Sequence, residues 1–408
     1  MDWTEVQSVL QSRGWPPSPE PVFWAALLLV AGALVGELIA RTTRWPRVVG
    51  YTLAGFIAAA VGAGSDVPLT GQARLIVDIA LALLLFEIGT RVRLAWLRFN
   101  PALLLSSLAE SAMGAGAVWF ALRALDVEPV VATACAVLAL PASAAIAGRV
   151  SHELQAEGQV TDRMTLLTAL NTLYAALALV VLQVWLHAGD SHTAVDTVSA
   201  LAYSFFGSLL LAALLALVVA AVARRLDLRN ESAVLLLLGL VLLAISTARM
   251  LGLSTLLVPL LAGVTLRHST DRPWVWPRHF GTAGGVLVLM LFVIVGSSWS
   301  PELLATGGLA ALALVVARLV AKGLGVLVFA RWAGANLRQG AALAVTLTPL
   351  SATALVMLAE LHTSSAALAA AVTPILLAAV AVLELAGPIA VQAALAFAGE
   401  LPPRQEKR

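Results

Sequence analysis

Pro141-Ala142-Ser143-Ala144-Ala145-Ile146, and in the second half of the chain Pro349-Leu350-Ser351-Ala352-Thr353-Ala354, are the stretches on which the fold turns. Both are Pro-x-Ser-Ala steps among small residues, each near the centre of a long apolar segment. Proline removes a backbone donor and clashes with the preceding turn, so each step predicts a kink or break. Non-helical backbone at that depth in a bilayer survives only where protein or a water-filled cavity covers it. The alternative is that both prolines merely kink ordinary packing helices. A matched pair of interrupted helices in two halves of a chain points instead to a secondary transporter built from inverted repeats.

The rest of the chain fits a membrane setting. Of 408 residues, 60% are hydrophobic and 12% charged, with a mean hydropathy of +0.93. A soluble domain is about half apolar and a quarter charged, so a soluble enzyme, a nucleic-acid binder and a disordered chain are excluded. Apolar segments of spanning length run over 22–40, 48–64, 73–91, 101–122, 128–148, 164–187, 196–223, 231–249, 252–266, 281–299, 303–330, 338–360 and 365–395. This predicts an all-α polytopic protein of about thirteen transmembrane helices. Nineteen of the 25 lysines and arginines fall in alternate loops and the C-terminal tail. The other set of loops holds Arg13, Arg74, Arg123 and Arg249, and Arg318 and Lys322 lie inside a span. That asymmetry predicts an outside N-terminus and an inside C-terminus.

The expected organisation is an N-terminal extracytoplasmic segment 1–21, a transmembrane domain 22–395 and a cytoplasmic tail 396–408. Within the domain, 22–187 is the first repeat, 196–223 a linker helix and 231–395 the second repeat. The odd seven-helix offset between the two Pro-x-Ser-Ala copies gives the repeats opposite topology. No signal peptide and no appended soluble domain are expected. The single Cys135 cannot form an intramolecular disulfide. Trp274-Val275-Trp276, between Pro273 and Pro277, reads as an interfacial anchor.

Several segments, in order, carry a family resemblance. Gly50-Tyr51-Thr52-Leu53-Ala54-Gly55-Phe56 is similar to the second-helix glycine motif of cation:proton antiporters of the Kef type, which share a sodium/proton exchanger-like transmembrane domain. Leu83-Leu84-Leu85-Phe86-Glu87-Ile88-Gly89 resembles the third-helix motif, and Ser143 to Leu154 the broken helix and its loop. Gly252-Leu253-Ser254 with Leu261-Ala262-Gly263 resembles the ninth helix; Arg318 to Gly325 and Thr346 to Leu358 resemble the last core helices. The resemblance implies a homodimer in a bacterial inner membrane. It implies a scaffold of helices 1–3 and 8–10 and a moving core of helices 4–6 and 11–13, with the two broken helices crossing at its centre. It also implies an ion-binding aspartate on helix 6, next to an asparagine. Here Asn171 is followed by Thr172, so the asparagine is present and the acid is not.

Ionisable groups inside a span are costly, about 2.5–3.5 kcal/mol on insertion scales, and so mark candidate sites. Arg318 and Lys322 are four apart on one helical face, and Lys322 lies too deep for easy snorkelling. The core acids available to them are Glu110 and Glu384, either as proton carriers or as structural counter-ions. Asp78 is expected to be solvated near a helix end, and Glu87 to pair with Arg91 one turn on. Ser143, Ser351 and Thr353 offer hydroxyls beside the two breaks, either to an ion or simply to neighbouring helices. The histidines have no metal-ligand spacing, no catalytic residues are assigned, and no cofactor is expected.

These readings predict a secondary transporter, a monovalent cation:proton antiporter working by alternating access, with a small ion, protons and lipid as its partners. Its proton would ride on Glu110 or Glu384. Loss of the helix-6 acid keeps two alternatives open: an anion or uncoupled carrier on the same fold, or a transport-inactive scaffold or sensor.

Overall fold

A computed structural model describes residues 21–60, 71–188, 194–225, 231–269 and 280–402. The N-terminal segment up to residue 20, Trp274-Val275-Trp276 and the basic end of the tail lie outside them. The described residues form sixteen helices. In chain order these are α1 (Pro21–Thr42), α2 (Arg47–Ala58), α3 (Gly71–Arg91), α4 (Leu94–Phe99), α5 (Pro101–Arg123), α6 (Pro129–Leu138), α7 (Ala144–Glu153) and α8 (Gln159–Ala188). Then follow α9 (Ala194–Arg225), α10 (Glu231–Met250), α11 (Leu257–Ser269), α12 (Phe280–Ser297), α13 (Pro301–Ala330), α14 (Leu337–Thr346), α15 (Ala352–Ser364) and α16 (Ala366–Ala398). Six of them are long and apolar enough to cross a membrane.

The apolar segments map onto this order. The segments 128–148 and 338–360 each appear as two short helices, α6 with α7 and α14 with α15, separated at the Pro-x-Ser steps. The short α4 was not expected. The segment 252–266 differs at its start, because Gly252 takes a left-handed backbone (φ 64°) and α11 begins only at Leu257.

Local chemistry sets the helix ends. Asn100 accepts the Leu103 N–H ahead of Pro101, Ser300 accepts the Leu303 N–H ahead of Pro301, and Ser365 opens α16 in the same manner. Asn336 and Gln339 form a reciprocal capping box on α14. Beyond α16, Glu400 folds back so that its carboxylate accepts the Val160 and Thr161 N–H groups at 2.6 and 2.8 Å. The end of the chain thereby caps α8.

Two packing sets result. α1 and α12 lie against α2, and α3 crosses α11, which also packs on α9. At the α3–α11 crossing a Cβ on either Gly89 or Gly263 would come within 2.9 Å of the other's Cα, so only glycine permits this approach. In the other set α5 packs along α13, and α13 contacts α14 and α16. Both halves of the two broken helices belong to this second set. The first set is termed the scaffold below and the second the core.

Candidate functional site

The two breaks meet. The Ser143 N–H donates to the Pro349 carbonyl at 2.9 Å, so the extended segments lie against each other where α6 gives way to α7 and α14 to α15. Two helix C-termini therefore converge inside the protein. Each ends with carbonyls that have no partner in their own helix and with the negative end of its dipole.

Arg318 and Lys322 of α13 answer that charge. The Arg318 side chain is wholly buried and donates to carbonyls of both breaks: Pro141 at 2.7 Å, Thr348 at 3.0 Å, Pro349 at 3.4 Å and Leu347 at 3.5 Å, with Ala139 as a further acceptor. The planar five-donor fork of arginine suits such a cluster. Lys322, also buried, donates to Leu140 O at 3.0 Å and pairs with Glu110 at 2.8 Å. Neither cation snorkels.

Small residues bring Lys322 to Glu110. A Cβ at Gly325 would collide with the Glu110 backbone, and one at Gly114 would lie 2.8 Å from the Lys322 Cγ. Glycine at both positions lets α13 seat against α5 with the lysine stem between them. Ser111, next to Glu110, donates to Asn171 Oδ1 of α8 at 2.9 Å and also lies 3.3 Å from Glu110 Oε1. A chain of polar contacts thus runs from the crossover through Lys322, Glu110 and Ser111 to Asn171.

Glu384 stands apart from this chain. It is fully buried on α16, and neither of its oxygens has a hydrogen-bond partner. Ser351, at the start of α15, is the hydroxyl that faces it. Gly387, three residues on, packs against the Pro349 ring. The acid therefore borders the second break, beside the positive end of α15. The two serines of the repeated motif differ. Ser143 caps α7 through the Ile146 N–H at 3.1 Å, whereas Ser351 makes no cap and keeps its hydroxyl unpartnered. Thr353 Oγ1 and the Asn171 amide nitrogen are likewise buried without partners. The Thr172 hydroxyl turns back to the Thr168 carbonyl at 2.9 Å, within its own helix.

Of the other intramembrane acids, Glu87 pairs with Arg91 at 2.6 Å, as its spacing predicts. Asp78 is not solvated. It is 5% exposed and pairs with Arg249 of α10, with Arg74 one turn away. The Arg249 partnership is invisible to local spacing because it joins two helices far apart in sequence. Among the described residues no group of three or more His, Cys, Asp or Glu could hold a metal ion.

Crossed, interrupted helices with buried cations at their junction define an antiporter-type membrane fold. The chain belongs to the sodium/hydrogen exchanger transmembrane family, whose profile matches residues 26–396; this is a family of multi-pass membrane transporters. A search of curated protein sequences gives no match. Among solved structures, the chain is similar to the sodium proton antiporter MjNhaP1 from Methanocaldococcus jannaschii at pH 8. That match has a TM-score of 0.65 at 16% identity and covers 93% of this chain and 96% of that one. An electron-microscopy structure of MjNhaP1 matches with a TM-score of 0.71 at 17% identity, covering 94% and 99%.

Proposed function

We propose that the protein is a monovalent cation:proton antiporter that works by alternating access, with Glu384 as the carboxylate that takes cation and proton in turn. One observation carries the choice of residue: Glu384 is a buried acid beside the second break with no ion-pair partner among the described residues, whereas Glu110 is bound to Lys322. A carboxylate already neutralised by a lysine gains little from a cation. An unpaired one in a buried site must take up a proton or a cation, and that competition is what couples their fluxes. Ser351 and Thr353 supply neutral oxygens beside it.

The same geometry weakens the anion-carrier alternative. That reading needed Arg318 and Lys322 to leave the site net positive, yet both are engaged by carbonyls and Glu110. Within the family, the Gly50–Phe56 and Leu83–Gly89 stretches favour the Kef type. The proposal includes thirteen spans as two inverted repeats, 22–187 and 231–395, around the linker helix 196–223. It places the protein in a bacterial inner membrane, N-terminus out and C-terminus in, with segment 1–21 extracytoplasmic and the tail 396–408 cytoplasmic. It also includes a homodimer, for which the apolar ridge Phe23, Leu27, Val30, Leu34 and Leu38 on the outer face of α1 offers surface.

Everted vesicles test the proposal. Sodium, potassium or lithium is expected to dissipate an imposed pH gradient with the wild-type protein, and Glu384→Gln to abolish the response. No response of the wild type between pH 6 and 9 would overturn it. Thr172→Asp distinguishes a disarmed site from a relocated one. Cation-dependent flux that appears only in this variant would show that the carrier acid belongs on α8 and not on α16.

A further inference from the structure

The broken helices carry a second matched pair of acids that the site above does not use. Glu153 is the last residue of α7, ten beyond Ser143, and Glu360 lies on α15, nine beyond Ser351. Each belongs to the core and reaches to the scaffold, on opposite faces of the membrane domain.

On the arginine-rich face, Glu153 accepts the Arg47 backbone N–H with its two oxygens at 3.1 and 3.3 Å and meets the Arg47 guanidinium at 3.4 Å. Arg47 opens α2, whose N-cap position is Pro46 and provides no side-chain acceptor. A carboxylate from the core thus satisfies an orphan donor of a scaffold helix and complements its dipole. Glu37 of α1 holds the same guanidinium at 3.0 Å and Arg41 at 2.7 Å, which fixes Arg47 to the scaffold. On the other face, Glu360 accepts the Thr255 hydroxyl at 2.8 Å. Thr255 lies in the turn between α10 and α11. Arg74 and Arg249, held by Asp78, add positive charge toward Glu360.

A crevice lies near each contact. A cavity of about 150 Å³ beside Glu153 is lined by Leu84, Arg91, Gly148, Arg149 and His152. A second, of about 400 Å³, lies among Gln183, Tyr203, Ser204 and Gly252, three residues before Thr255. Apolar helix faces slide past each other in lipid without losing directional contacts. These two contacts are directional and charge-assisted, so they resist sliding.

We propose that Glu153 and Glu360 are paired clasps that hold the core against the scaffold at its two faces, and that each must release for its own crevice to open. The inference rests on the alternating-access reading above. With both clasps engaged, the core is held against the scaffold at both faces. Neither acid faces the crossover, so neither carries the transported ion or proton.

The test uses the full-length protein in membranes, with Cys135→Ala to remove the native thiol. Leu84→Cys reports on the first crevice and Ser204→Cys on the second, each read by its labelling rate with a hydrophilic maleimide. Glu153→Ala is expected to speed labelling at position 84 about tenfold, the scale of a lost hydrogen bond to a charged group, and to leave position 204 unchanged. Glu360→Ala is expected to do the reverse. Glu153→Gln keeps an acceptor for the Arg47 N–H and is expected to give an intermediate rate, so the inference stays testable if the alanine variant fails to fold. Equal changes at both reporters, or none at either in protein of unchanged melting temperature, would overturn the clasps. Labelling needs no ion flux. A working reporter pair in a protein without cation-dependent proton movement would sink the antiport reading and leave the clasps standing.

Discussion

Glu110 and Glu384 share burial and chemistry, and their surroundings assign them opposite behaviour. Glu110→Gln leaves Lys322 with the Leu140 carbonyl but no counter-charge. Breaking one side of a buried pair costs about 3–5 kcal/mol. The variant should therefore melt well below the wild type in detergent, and Glu110→Gln/Lys322→Met should recover most of the loss. Glu384→Gln removes a carboxyl that has no cationic partner to strand, only the facing Ser351 hydroxyl, which a Gln amide can still meet. Its melting temperature is expected to equal or exceed that of the wild type while its exchange activity is lost. A fall in stability at position 384 comparable to that at 110 would mean that Glu384 is a structural counter-ion. Local spacing could name both acids, because an acid inside an apolar run is conspicuous. Which one is paired depends on a lysine far along the chain, and no periodicity records that meeting.

At the scale of elements, the junction of four half-helices depends on α13. Arg318 donates to carbonyls of both breaks, from the residues leading into each proline through the prolines themselves. Arg318→Lys keeps the charge but offers three donors in place of a planar fork of five. Several carbonyls would lose their donor, at about 1.5–3 kcal/mol for each charge-assisted hydrogen bond. The expected result is a protein that melts several degrees lower and exchanges amide hydrogens faster around 139–142 and 347–350. The close seating of α13 on α5 can be tested separately. Gly325→Val puts branched atoms against the Glu110 backbone, and overpacking of this kind costs about 1–3 kcal/mol. It should weaken the Lys322–Glu110 pair without touching either charge, and loss of activity with intact expression would show it. The breaks themselves were legible in the sequence because proline acts on its own turn. The start of α11 was not: the apolar run continues through Gly252, while the left-handed residue and the Ser254 hydroxyl that accepts the Leu257 N–H determine where the helix begins.

For the whole molecule, the charge asymmetry of the loops makes a topological prediction that the helix packing alone does not. Arg331→Cys, in an arginine-rich loop just past α13, should react with an impermeant maleimide only after cells are permeabilised. Labelling in intact cells would invert the proposed orientation and exchange the sides assigned to the two clasps. The scaffold and core also differ in what joins them. Glycine crossings such as Gly89 on Gly263 bind scaffold helices tightly together, whereas Glu153 and Glu360 join the two bodies by hydrogen bonds and charge.

By itself the sequence determined that this chain lives in a bilayer, where its apolar helices run and where two of them break. Hydropathy and proline sterics belong to a residue and its near neighbours, so they can be read along the chain. The tertiary structure alone decided that the breaks touch, that Arg318 and Lys322 serve backbone carbonyls, that Asp78 answers Arg249, and that Glu384 is left without a cationic partner. Those outcomes depend on which faces of distant helices come together. In a membrane protein nearly every face is apolar, so the pattern of hydrophobicity carries little record of its partner.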